Sequence, residues 1–256
     1  MKSHVVSRAQ WLQERIFTGT SVLLFFASAV TTIIWCSAMS TMSKGPLSTD
    51  TWFGNAASFL GIWIVMMVAM MLPSLVPMLW RYRKAVRTTD DARLGWMTIL
   101  VGAGYFFVWS MIGIAVFALG VAAAAIETLL PAMTRAVPIA VGVVLLLAGA
   151  LQFTQWKAHH LACCRAAPGS GRMLPPVAGT AWRFGLRLGC HCSYCCANLM
   201  MILVVTGMMD LRAMAIVTAA ITAERFAVAS EYVVRAIGTV VVGAGLYLIT
   251  EAVWLG

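Results

Sequence analysis

Long apolar runs, each about the length of a membrane crossing and most of them bounded by basic residues, constrain this chain more than any other feature. A helix needs about 20 apolar residues to cross roughly 30 Å of hydrocarbon at about 1.5 Å per residue. Inside that layer the backbone has no water to bond, so each run must close its own hydrogen bonds as a helix. The runs are continuous rather than alternating, which excludes a transmembrane barrel. Only 11% of the 256 residues are charged, against roughly 25% in soluble domains. The sequence therefore predicts an all-α, polytopic transmembrane bundle forming a single membrane domain over residues 1–256.

Seven runs can be delimited. They cover Phe17 to Met39, Ala56 to Trp80, Leu94 to Ala125, Val137 to Phe153, Leu186 to Thr206, Leu211 to Ala223 and Ala236 to Leu255. The first is longer than a signal-peptide core and lacks a small-residue cleavage site, so it reads as a retained span. Pro73 and Pro77 lie in the last third of the second run and are expected to bend or unwind it, because each removes a backbone donor. Lys44, Gly45, Pro46 and Asp50 mark a loop, Glu127 to Arg135 a short connection, and Gly207 to Arg212 a tight one. The longest polar stretch, Gln155 to Arg183, contains Pro168, Gly169, Gly171, Pro175 and Pro176 and reads as a loop.

Charge placement orients the bundle. With seven spans and a cytoplasmic N-terminus, every lysine and arginine except Lys44, Arg135 and Arg212 falls on the cytoplasmic side, as the positive-inside rule requires. The sixth run is short and charged at both ends, so six spans with that segment re-entrant is the alternative. The formal net charge of +9 is confined to these short clusters and forms no long basic face, so nucleic acid is excluded as a partner. The lipid bilayer is the expected one.

Six of the seven cysteines lie between residues 163 and 196. One group, with histidines, is Lys157-Ala-His-His-Leu-Ala-Cys-Cys-Arg165; the other is Gly189-Cys-His-Cys-Ser-Tyr-Cys-Cys-Ala-Asn198. The charge rule puts both on the cytoplasmic side, where thiols stay reduced and available as ligands. If the second group is helical, Cys192, Cys195 and Cys196 share one face, with Cys195 one turn from His191. Thiolates on one face beside histidine suit a soft or borderline transition metal, Cu(I) first and Zn(II) as the alternative. Cysteine also packs well between membrane helices; that account suffices for lone Cys36 but strains at four cysteines in seven residues. Met66, Met67, Met70 and Met71 repeat at helical spacing; they serve equally as apolar filler or as thioether donors. Met70 lies about 16 Å, and Cys192 to Cys196 roughly 8–14 Å, below the cytoplasmic boundary, so the two layers meet if their spans are neighbours. Glu224 and Arg225 fit a local ion pair, a cavity lining, or charges snorkelling to the interface.

Two elements resemble a bacterial family of predicted metal-binding integral membrane proteins of otherwise unknown function. One is Trp63 followed by Met66-Met-Val-Ala-Met-Met-Leu-Pro73. The other is Gly185-Leu-Arg with Cys192-Ser-Tyr-Cys-Cys196, then Gly207-Met-Met and Glu224. The likeness runs from the second span to the last. It implies a multi-pass protein of the bacterial inner membrane, with Lys157 and Cys164 at pattern positions and His160 replacing a first cysteine. Cys163, Cys190 and His191 are extra donors beyond that pattern. The combined ligand set is then Cys192, Cys195, Cys196, His160, Cys164, His191 and Cys190, with Met70 as a relay. The expected function is metal transport, delivery to a membrane metalloenzyme, or sensing. The alternatives are an accessory subunit of a larger membrane complex, packed through Gly102, Gly104, Gly113, Gly120, Gly142 and Gly149, and a membrane thiol oxidoreductase. No nucleotide-binding or phosphorylation motif supports ATP-driven pumping, and nothing points to enzymatic turnover.

Overall fold

The computed structural model describes residues 2–42, 52–86, 91–129, 137–166, 174–208, 210–227 and 230–255. Among them are eight helices and no strand beyond an isolated bridge between Val86 and Leu174. The helices are α1 (Lys2–Met42), α2 (Trp52–Ala85), α3 (Asp91–Leu129), α4 (Val137–Gln152), α5 (Gln155–Ala166), α6 (Ala178–Thr206), α7 (Leu211–Phe226) and α8 (Ser230–Leu255). The Lys44–Asp50 loop, Arg135, and Pro168, Gly169, Gly171 and Arg172 of the polar stretch lie outside the described residues.

Five helices, α1, α2, α3, α6 and α8, are long and apolar enough to cross a membrane, and a sixth crossing results if α4 and α5 are joined. These two meet at a 64° bend over a short break. Gln152 ends α4 and Lys157 lies in the first turn of α5; both are buried and reach the same partner, Glu224. Irregular backbone is tolerated at membrane depth where protein surrounds it. Thr154 repairs the break, its hydroxyl accepting from the Lys157 amide as a helix cap does. The sixth run becomes α7, whose 16 residues extend only about 24 Å, short of a full crossing.

Two expectations need correction. The polar stretch beginning at Gln155 is not a loop in its first part: Gln155–Ala166 is helical and packs on α6. Its Lys157, Leu161 and Cys164 are buried at the i, i+4, i+7 spacing of one helical stripe. The prolines of the second run do not unwind it either, since α2 is continuous through Pro73 and Pro77 to Ala85.

Close backbone approach holds the bundle together. The α3–α6 pair meets at Gly104, Gly185 and Gly189, and the α4–α8 pair at Gly142, Gly149, Gly238 and Gly245. Small residues let membrane helices approach closely enough for dispersion contacts to hold them. Gly104, Gly113, Gly142 and Gly149 thus pack within the chain, whereas Gly102 and Gly120 face open space. The turn from α6 to α7 uses Gly207 at φ 120°, a conformation that disfavours any side chain. Asp210 then caps α7, its carboxylate accepting from the amides of Arg212 and Ala213. Asp210→Ala is expected to cost about 1 kcal/mol in detergent unfolding, the usual loss for an N-cap.

Candidate metal centre

The thiols are collected by two helices. On α6 the i, i+3, i+4 spacing places Cys192, Cys195 and Cys196 on one buried face, as the sequence predicts. From α5, Cys164 completes a four-cysteine group, fully buried with the others. Cys164 Sγ lies 3.6 Å from Cys195 Sγ, and Cys192 Sγ lies 3.9 Å from Cys196 Sγ. The Cys195 and Cys196 thiols also donate back to the Cys192 carbonyl, at 3.2 and 2.8 Å. All four are unbridged thiols.

The group is held by polar side chains from three other helices. Tyr105 of α3 places its hydroxyl 2.8 Å from Cys192 Sγ. Arg225 of α7, only 4% exposed, donates through Nη2 to Cys192 Sγ at 2.6 Å and Cys195 Sγ at 3.4 Å. Its Nη1 donates to Ser74 Oγ of α2 at 2.9 Å. A buried guanidinium needs a counter-charge. Here the groups that receive it are sulfurs and a hydroxyl, not a carboxylate.

A second buried network lies beside the first. Lys157 Nζ pairs with Glu224 Oε2 at 2.8 Å and donates to Asn198 Oδ1 at 3.1 Å. Gln152 Nε2 donates to Glu224 Oε1 at 2.9 Å, and Asn198 Nδ2 to the Ala148 carbonyl at 3.3 Å. Glu224 and Arg225 therefore neither pair locally nor snorkel: consecutive in sequence, they serve two separate buried networks.

The remaining predicted donors occupy different places. His160 and His191 stand together, ring centroids 5.9 Å apart, among Tyr194 and Trp156. Each leaves a buried Nδ1 without a hydrogen-bond partner among the described residues. Cys190 is exposed, so it does not join the buried thiols. Cys163 turns instead toward His159, 3.7 Å away. Met66, Met67, Met70 and Met71 are buried in the same continuous core as the thiols. Helices α2 and α6 touch where Tyr82 stacks on Phe184, both just outside the two apolar runs, and the runs themselves are linked through Arg225, which bonds Ser74, one turn beyond Met70, and Cys192. Sequence reasoning missed Tyr105 and Ser74, ordinary polar residues in apolar runs. Arg225 carried a signal, an ionisable group at membrane depth, without its partner being legible.

A metal fits the donor chemistry. Four thiolates around one ion at about 2.3 Å would stand about 3.8 Å apart, close to the Cys164–Cys195 and Cys192–Cys196 sulfur separations. Among the described residues, no group of three or more His, Cys, Asp or Glu donors is already arranged around an ion position, so loading requires side chains to turn. The sequence model of the copper chaperone family PpoB2 matches residues 60–248, from the first turns of α2 into α8. The chain belongs to that family. The matched region contains all four buried thiols, Arg225 and the Lys157–Glu224 pair, so the copper chaperone family and the buried site share the same part of the chain. Comparison with curated proteins and with solved structures finds no match.

Proposed function

We propose that this copper chaperone family member is a multi-pass protein of the bacterial inner membrane that takes Cu(I) on Cys192, Cys195, Cys196 and Cys164 and delivers it to a membrane metalloenzyme. The observation that carries this reading is the pairing of a buried four-thiol group with a buried arginine. Lys157 and Glu224 neutralise each other, which leaves Arg225 with one unmatched positive charge. Cu(I) held with two of the four cysteines as thiolates and the other two as neutral thiols carries one negative charge and cancels it; Zn(II) needs three thiolates to do the same. Soft thiolates and the neighbouring methionines favour Cu(I), and the family match points the same way. His160 and His191 receive the ion at the edge of the site, and Cys190 adds an exposed donor there. Met70 lies on the inner side as a relay.

In this reading the chain crosses seven times with its N-terminus in the cytoplasm. The bent α4–α5 pair makes one crossing, and α7 makes a short one sheltered by α2, α6 and α8. Support comes from the basic residues, all but three of which then fall on the cytoplasmic side. The thiols stand in the reducing compartment, where Cu(I) is the stable oxidation state.

Elemental analysis of detergent-purified protein, reconstituted with Cu(I) under reducing conditions, tests the proposal. Near-stoichiometric copper is expected in the natural chain. The Cys192→Ser, Cys195→Ser, Cys196→Ser triple variant is expected to lose at least about tenfold, because the remaining donors cannot close a soft ligand shell. Unchanged copper in that variant would overturn the site, and zinc in preference to copper would overturn the ion.

A further inference from the structure

Arg225 has a second neighbourhood. On the side of Ser74 lies a cavity of about 270 Å³ lined by Ser74, Pro77, Met78 and Arg81 from α2, Arg165 from α5, and Arg225 and Phe226 from α7. Three arginines from three helices line it, and no acidic residue among the described residues does. Like charges do not gather around a small cavity without a reason, because each adds to the cost of the next. Among the described residues of the metal-free chain, none of these arginines is in an ion pair, although Arg165 also lines a neighbouring cavity with Glu231. Arg81 donates to the Arg165 carbonyl, and Arg165 donates to Ser230 Oγ and the Ala227 carbonyl. These contacts fix the side chains in place without cancelling any charge.

We propose that this cavity binds a phosphate-type oxyanion, supplied either as free inorganic phosphate or as the headgroup of an anionic phospholipid. Planar guanidinium forks match the oxygens of such a group with short, paired, charge-assisted hydrogen bonds. The space, about 270 Å³, is ample for a phosphate group with its hydrating water. Location accommodates both sources: Arg81 is exposed at the basic end of the α2 apolar run, where lipid headgroups and cytoplasmic solutes both reach it. Arg225 touches the cavity on one side and Cys192 and Cys195 on the other, so it is the single residue shared by the oxyanion site and the thiol group.

The proposal does not depend on copper, so the metal-free full-length protein is the sample. Inorganic phosphate is titrated into delipidated protein in detergent by calorimetry, with chloride holding ionic strength constant. The same protein, purified gently, is analysed by native mass spectrometry for retained phospholipid. Saturable phosphate binding identifies the free anion; a retained anionic phospholipid identifies the headgroup. Either is expected to weaken about tenfold or more in the Arg81→Gln, Arg165→Gln double variant, since each lost charge-assisted bond is worth a factor of about ten. The exposed Arg81→Gln single variant, which leaves every buried contact in place, is expected to show a smaller loss in the same direction. A natural chain that binds neither phosphate nor phospholipid overturns the site, and so does binding that both variants leave unchanged.

Discussion

Glu224→Leu is expected to destabilise the protein by about 3–5 kcal/mol, and adding Lys157→Met to it is expected to return most of that loss. Both side chains are almost completely buried, at 2% and 1% exposure, so the pair differs in kind from a surface ion pair worth less than about 1 kcal/mol. Removing the carboxylate alone strands an ammonium group in a low-dielectric interior, with Asn198 as its remaining partner. It also takes the acceptor from Gln152. Removing both charges replaces the pair with apolar volume, which buried sites commonly tolerate. A double-mutant cycle in denaturant unfolding measures this directly. Additive losses in the double variant would show that the pair is not the coupled unit its geometry describes. Copper content supplies a second readout: Lys157 belongs to α5, which also carries Cys164, so the single variant should release that helix from α6 and lower occupancy.

That network shows where the sequence was informative and where it fell silent. The apolar runs at 17–39, 56–80 and 94–125 lie inside α1, α2 and α3, because hydrophobic length is a property of the local chain. The cysteine face of α6 was readable for the same reason: i, i+3 and i+4 fix a helical face wherever the helix sits. The α5 helix was hidden by its own composition. Lys157, His159, His160 and Arg165 suggest a solvated loop until Glu224, 67 residues further on, supplies the counter-charge that lets Lys157 be buried. Arg225 was misjudged for the converse reason. Its neighbour Glu224 offered the nearest acid in sequence, while its real partners, Ser74 and Cys192, lie 151 and 33 residues away. Long-range polar pairing leaves no period in the sequence, so periodicity could delimit the helices and the thiol face but could not say what surrounds them.

Gly185→Ala is expected to cost about 1–3 kcal/mol, the range for forcing one extra group into a packed interior, although alanine is ordinarily the better helix former. A Cβ at this position would stand 2.3 Å from the Val101 carbonyl oxygen and 3.0 Å from the carbon atoms beside it. The obstacle is backbone, so no rotamer change relieves it and α3 must move away from α6. Tyr105 lies one turn beyond Val101 on α3, and its hydroxyl reaches Cys192 at 2.8 Å. Displacing α3 therefore opens the thiol group as well as the helix pair. Gly102→Ala on the same helix is the control: open space surrounds that position, and the change is expected to be neutral or to stabilise by up to about 1 kcal/mol. Thermal unfolding in detergent separates the two variants, and site-resolved maleimide labelling should show Cys192 newly reactive in Gly185→Ala alone. Equal stability and equal protection of Cys192 in both would mean that the close α3–α6 approach is not what encloses the thiols. A large difference would place the enclosure of the thiol group in the close backbone approach of α3 and α6 at Gly185.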